Sequence, residues 1–200
     1  MTESPAIDRP GLRERKKAKT RAAIQEHALR LFREQGYDAT TVEQIADAAE
    51  VSQSTFFRYF PTKEDVVLHD RFDPLLFAAF RAQPPDRTLV QALRAAMRAV
   101  FADLPAAELE RERLRGELIL AVPELRARAL AQFADTLQAT AELIAERAGR
   151  SPDDFAVRTF TGAVMGVALA AVLAAAEHPD GDYLALMDEG LAHLEAGLPL

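Results

Sequence analysis

The chain has 200 residues, 49% hydrophobic and 28% charged, which is enough for one or two domains and too apolar for disorder. Taken whole, a net charge of −7 argues against nucleic acid, which is usually met by a basic face. The absence of cysteine excludes disulfides, thiolate metal sites and cysteine nucleophiles, and fits a reducing cytoplasm.

The charge is unevenly placed. Residues 1–60 carry ten Lys/Arg against nine Asp/Glu, whereas residues 61–200 carry fourteen against twenty-two. Within Arg9–Arg33 nine basic residues face only two acidic ones, Glu14 and Glu26. Such asymmetry points either to a nucleic-acid-facing end or to a solvated helix face.

In chain order, residues 1–11 read as a flexible N-terminal arm, and Met1–Pro10 has no apolar segment of the signal-peptide kind. A helix is predicted over 12–35, with Ile24, Ala28, Leu31 and Phe32 facing inward and Gly36 as its stop. The next helix opens at Thr40 or Thr41, because Thr40 with Glu43 and Thr41 with Gln44 both fit a capping box. A short turn, Ala49-Glu50-Val51, leads to a helix capped by Ser52 and closed before Pro61. Two short helices at this spacing form a helix-turn-helix, whose second helix enters the major groove. Phe56 and Phe60 anchor that helix. Gln53, Ser54, Thr55 and Phe57 then face outward, where Gln can pair with adenine, hydroxyls can meet bases or phosphates and an aromatic edge can pack on a thymine methyl. Arg58, Tyr59 and Lys63 suit phosphate contacts. A further helix capped by Thr62 is predicted to run through Pro74 and to kink there.

The rest of the chain is helical as well. Stripes fall at Leu89–Leu104, at 108–122 and from Pro123 through Ile144. A helix is predicted to start on Ser151-Pro152-Asp153-Asp154, and another to be capped by Asp182. Thr159–Ala176 is 18 residues without charge, but it is alanine-rich and lacks flanking Lys/Arg, so a soluble helix rather than a membrane span is expected. Gly162, Gly166, Ala170 and Ala174 form a small-residue ridge, and Leu184, Met187, Leu191 and Leu194 a heptad seam; both can pair within the chain or between two copies. The four histidines lack metal-ligand spacing, and no phosphate loop or nucleophile motif occurs, so neither catalysis nor a metal or cofactor is expected.

The runs Thr40–Ala46, Val51-Ser52 and Thr55–Glu64 together resemble the N-terminal domain of the tetracycline-repressor (TetR) family, with Glu50 standing where that family often has glycine. The segment Leu118–Arg128 with Gln132-Phe133 resembles a subgroup similar to the mycofactocin-system regulator, described as binding acyl-CoA-like ligands. The resemblance implies an all-α chain of about nine helices: a helix-turn-helix DNA-binding domain over 12–61, then a ligand-binding and dimerisation domain over 62–200. It implies a homodimeric, cytoplasmic regulator, most simply a repressor, that binds Thr40, Thr41 and the Ser52–Tyr59 face to a palindromic operator and releases it on binding a hydrophobic effector, an acyl-CoA or fatty-acid-like molecule being one candidate. Residues placed to line the effector site are Leu76, Phe80, Met97, Phe101, Leu118, Phe133, Leu137 and Val164; the ridge and seam would form the dimer interface. The alternative is a helical protein-interaction or lipid-binding module that does not bind DNA.

Overall fold

The computed structural model describes residues 11–177 and 182–199. The arm expected over 1–11 lies outside them but for Gly11, as does His178. Among the described residues there are ten helices and no strand. They are α1 (Leu12–Gln35), α2 (Val42–Ala48), α3 (Gln53–Tyr59), α4 (Lys63–Leu68), α5 (Asp73–Arg81), α6 (Leu89–Phe101), α7 (Ala106–Ala121), α8 (Pro123–Ala148), α9 (Phe155–Glu177) and α10 (Tyr183–Glu195).

The chain divides into two compact units between Val67 and Leu68, not at the expected 61/62 boundary. The reason is that α4 is tied to α1 and the turn after it. Gln25 Nε2 donates to the Val66 carbonyl at 2.9 Å, and the Tyr37 hydroxyl donates to Glu64 at 2.9 Å. In the first unit α1 contributes Ile24, Ala28, Leu29 and Phe32 to the core; Leu31, expected inward, is only half-buried. Gly36, at φ 88°, ends α1 in a conformation that costs an ordinary side chain.

In the second unit Pro74 does not kink a long helix, as the sequence had suggested; it sits in the first turn of a separate one. Its missing N–H belongs there among donors that have no intrahelical partner anyway. Asp70 closes the preceding turn, its Oδ1 accepting from Phe72 N at 2.7 Å and Asp73 N at 3.3 Å. This break raises the helix count to ten. A second correction concerns α9, which starts at Phe155 rather than at Pro152. Asp154 Oδ1 accepts from Ala156 N at 2.9 Å, while the Ser151 hydroxyl is spent on Asp153 N.

The core of this unit joins α5, α6, α8, α9 and α10 through Phe80, Leu93, Met97, Leu143, Val164, Met187 and Leu191. The heptad seam is therefore internal. Met187 and Leu191 are buried at 7% and 1% exposure, so they are spent within the subunit rather than on the dimer interface expected of them, while Leu184 and Leu194 are half-buried against the same cluster and keep some surface. The ridge behaves oppositely. Gly162, Gly166 and Ala170 are exposed beside Leu169 and Leu173, and Ala174 is half-buried. The close helix approach occurs instead at Gly190 of α10, where a Cβ would lie 2.5 Å from Val167 Cγ1 on α9.

α7 is held differently from its neighbours, for it has no buried residue. Charges fasten it. Arg115 pairs with Asp70 at 3.0 Å and with Glu112 at 2.8 Å, and Glu108 is bound by Arg71 and Arg111. Beside this cluster Asp73 is pushed up to about 6, chiefly by burial and then by the Asp70 charge, against the pull of Arg115.

Gly190→Ala should destabilise the protein by about 1–3 kcal/mol, the usual cost of overpacking, because Val167 is β-branched and has few rotamers to retreat into; chemical denaturation measures it. Asp73 predicts a pH effect. Its carboxyl titrates at 3.8 in an ordinary setting and at about 6 in the fold, so folding takes up a proton between those values and stability falls as pH rises through them. Asp73→Asn should therefore raise the denaturation midpoint at pH 7 and leave it unchanged at pH about 3.5.

Candidate nucleic-acid interface

Three short helices carry the site, and each is fixed by a capping side chain. At α2 the choice left open by the sequence falls to Thr41. Its Oγ1 accepts from Gln44 N at 3.2 Å, and Gln44 Oε1 accepts from Thr41 N at 2.9 Å. Thr41 is exposed at the end of this helix. Thr40, also proposed as a DNA contact, is 1% exposed. Its hydroxyl donates to the Gly36 carbonyl at 2.7 Å and accepts from Gln35 Nε2 at 3.1 Å, so it joins α1 to α2 and offers nothing to a phosphate.

The turn between α2 and α3 places Glu50 at φ 54°, in the left-handed region that favours glycine. That conformation lets Val51 N reach the Ala46 carbonyl at 2.9 Å. Ser52 then caps α3, accepting from Thr55 N at 3.1 Å. The Ser52 hydroxyl also lies 2.9 Å from those of Ser54 and Thr55, so the three hydroxyls form one polar edge.

The aromatic pattern of α3 sorts as its spacing implies. Phe56 and Phe60 are buried at 0% and 2% exposure, while Phe57 is 49% exposed, edge-on to Phe56 with ring centroids 5.4 Å apart. Gln53, Ser54 and Arg58 are exposed, and Thr55 and Tyr59 are half-buried. The structure thus brings Thr41, Ser52, Gln53, Ser54, Thr55, Phe57, Arg58 and Tyr59 into the α2–α3 unit with polar groups and one aromatic edge outward.

Lys63, expected at a phosphate, also serves the fold. Its ammonium donates to the Tyr37 carbonyl at 2.8 Å and the Thr40 carbonyl at 3.2 Å, and lies 4.1 Å from the Tyr37 ring centroid. Two of its three donors are spent on the α1–α2 connection, which leaves one for another partner. The sequence reading also missed Arg21. Its guanidinium lies 5.9 Å from the ring centroids of both Tyr59 and Phe60, and Tyr59 has Arg58 at 5.5 Å. The available signal was spacing: Arg21 is three residues before buried Ile24, on the face of α1 that packs inward.

In the second unit the eight residues proposed for an effector site separate into two groups. Phe80, Met97 and Val164 are buried in one cluster, with Leu76 and Phe101 packed against it. Leu118 of α7 and Phe133 and Leu137 of α8 are half-buried and lie outside that cluster.

Glu50→Gly should stabilise the first unit by about 0.5–1 kcal/mol, since relief of the left-handed backbone outweighs the extra freedom glycine gives the unfolded chain. Thermal unfolding of the variant checks this, and a loss of stability would mean that the Glu50 side chain holds the turn.

Comparison with known proteins agrees with this geometry. Residues 24–69 match the profile of bacterial regulatory proteins of the tetR family, and residues 87–199 match the MftR C-terminal domain. TcmR, an HTH-type transcriptional regulator of Streptomyces glaucescens, is 40% identical over 154 residues, covering 72% of this chain and 67% of that one. MftR of Mycobacterium tuberculosis is 32% identical over 159 residues, covering 78% and 80%. Among solved structures, Thermus thermophilus FadR, a repressor in complex with lauroyl-CoA, superposes with a TM-score of 0.52 at 28% identity, covering 90% of this chain and 95% of that one. With both matched regions in place and the helix-turn-helix formed as its caps require, the chain belongs to the TetR family of DNA-binding transcriptional regulators.

Proposed function

We propose that this chain is a homodimeric, cytoplasmic repressor that reads a palindromic operator with α3 and is released from it by a hydrophobic small molecule. The observation that carries the reading is the outward face of α3. Phe57 stands 49% exposed next to Gln53 on a seven-residue helix whose other aromatics are buried. Exposing an aromatic ring there has no use in solubility. Beside a Gln amide it has one in the major groove, where it can meet a thymine methyl while the amide pairs with adenine. Thr41, Ser52, Ser54, Thr55, Arg58 and Tyr59 supply hydroxyls and charge for the backbone.

Two copies are needed to match an operator with two-fold symmetry, with half-sites one helical turn or more apart. The uncovered face of α9, with Gly162, Gly166, Leu169, Ala170 and Leu173, is the surface assigned to the second copy. For the effector, the cluster of Leu76, Phe80, Met97, Phe101 and Val164 favours an apolar ligand. Leu118, Phe133 and Leu137 would border it once α7 moves. α7 is a candidate for that movement, because none of its side chains is fully buried and ion pairs supply part of its attachment. A long-chain acyl-CoA is the first effector to try, given the lauroyl-CoA named with the Thermus FadR structure.

Selection from a random duplex library should yield a palindromic site bound at least tenfold more tightly than scrambled DNA. Gln53→Ala and Phe57→Ala should each cost about tenfold or more on that site while changing binding to scrambled duplex by about twofold or less, since a base contact is worth roughly 1–3 kcal/mol. Equal losses on both duplexes would overturn the base-reading role. Native mass spectrometry of the purified protein tests stoichiometry and any retained apolar ligand together.

A further inference from the structure

The first turns of α1 are poorly explained by folding. Residues 12–19 are all exposed, and the first buried residue of the helix is Ile24. Yet residues 12–21 carry six cations, Arg13, Arg15, Lys16, Lys17, Lys19 and Arg21, against the single acid Glu14. Arg13 with Lys17, Arg15 with Lys19, and Lys17 with Arg21 are like-charge pairs four residues apart, and each disfavours the helix. The cations also crowd the helix end where the backbone dipole is positive, and its N-cap residue, Gly11, has no side chain to offer. An anion set against this face would offset that repulsion.

The shape of the surface says where that partner lies. Arg13, Lys16, Lys17 and Thr20, at helical spacing on one face of α1, line an open groove of about 900 Å³ with Arg58 and Tyr59 at the C-terminal end of α3. Arg21 stacks over the Tyr59 and Phe60 rings near this end, and its Nε is buried without a hydrogen-bond partner. The groove therefore continues from the last turn of α3, the helix that carries Gln53 in its first turn and Phe57 one turn on.

We infer that this groove seats the phosphodiester backbone of duplex DNA flanking the half-site, so that each subunit grips its operator by α1 cations as well as by α3. The inference rests on the base-reading role of α3 proposed above. Chemistry favours a backbone over a free anion: the cations are spread along two turns rather than converged on one point, as a run of phosphates requires. They contribute affinity and not sequence preference, because phosphates carry no base identity.

The test is the triple variant Arg13→Gln, Lys16→Gln, Lys17→Gln, which keeps strong helix formers at exposed positions, so unfolding temperature and helicity should match the wild type. Binding to the selected site and to its scrambled control is followed by fluorescence anisotropy over a salt series. The variant should weaken on both duplexes by the same factor, about tenfold or more at low salt. The slope of log affinity against log salt should become shallower by about 2–3 for each subunit engaged. An unchanged slope in a variant that still prefers its site would overturn the groove and leave α3 intact. A wild-type chain that binds no duplex at any salt would overturn both. A variant that loses site preference while keeping its slope would place these cations in base reading and likewise overturn the inference.

Discussion

Helices of six and seven residues do not persist alone in water; isolated helices need about 12–15 residues even to be marginal. α2, α3 and α4 are of that short kind, at seven, seven and six residues, and the base-reading face of the first unit stands on them. They are held by side chains that satisfy their open ends. Thr41 and Gln44 close α2, Ser52 closes α3, and Thr62 with Asp65 closes α4 through two reciprocal bonds of 2.9 and 3.3 Å. Phe56 and Phe60 then pin α3 to the core, and the Lys63 ammonium draws the carbonyls of Tyr37 and Thr40 under α4. Because the caps and anchors use the inward and terminal positions, only the outward positions of α3 remain free to vary with the DNA to be read.

This division explains what could be read from the sequence alone. Caps are local chemistry, so Ser52, Thr62 and Asp182 are legible from residue type and spacing, and so is the inward-inward-outward sorting of Phe56, Phe60 and Phe57. The choice between Thr40 and Thr41 was not legible. Both fit the same motif, and the register is set by Gly36, whose positive φ turns Thr40 back onto its carbonyl. Pro74 was misread because a proline in an apolar run can kink one helix or open another. The decision came from Asp70, which closes the turn with its own carboxylate. The α10 stripe failed for a different reason. A leucine repeat at spacings of three and four buries equally well against its own chain or a second copy, and only the position of α6 and α9 shows that it is used internally.

The charge balance acquires a physical reading from the two units. The basic excess sits in the outer turns of α1 and the acidic excess in the remainder, where carboxylates are engaged rather than idle. Arg94 holds Asp188 at 2.8 Å and Glu195 at 3.4 Å, and Arg115 holds Asp70 and Glu112. An acidic second unit discourages indiscriminate wrapping of DNA, while a short basic segment gives the first unit its attraction. Net charge taken over the whole chain hides both effects.

The two glycines of α9 complete the picture by what they do not do. Gly190 is required by its own chain, since Val167 leaves no room for a Cβ. Gly162 and Gly166 are not, because a Cβ at either would meet nothing within 4 Å. Each nonetheless costs its helix about 1 kcal/mol relative to alanine. α9 is also apolar and long enough by composition to cross a bilayer, yet Val164 and Ala171 on its inner face are buried in the second unit's core. In the dimer proposed above, a second α9 would lie against this face: close approach of two such surfaces would give the glycines a purpose, remove the leucines from water, and fix one copy against the other at a spacing that the operator can select.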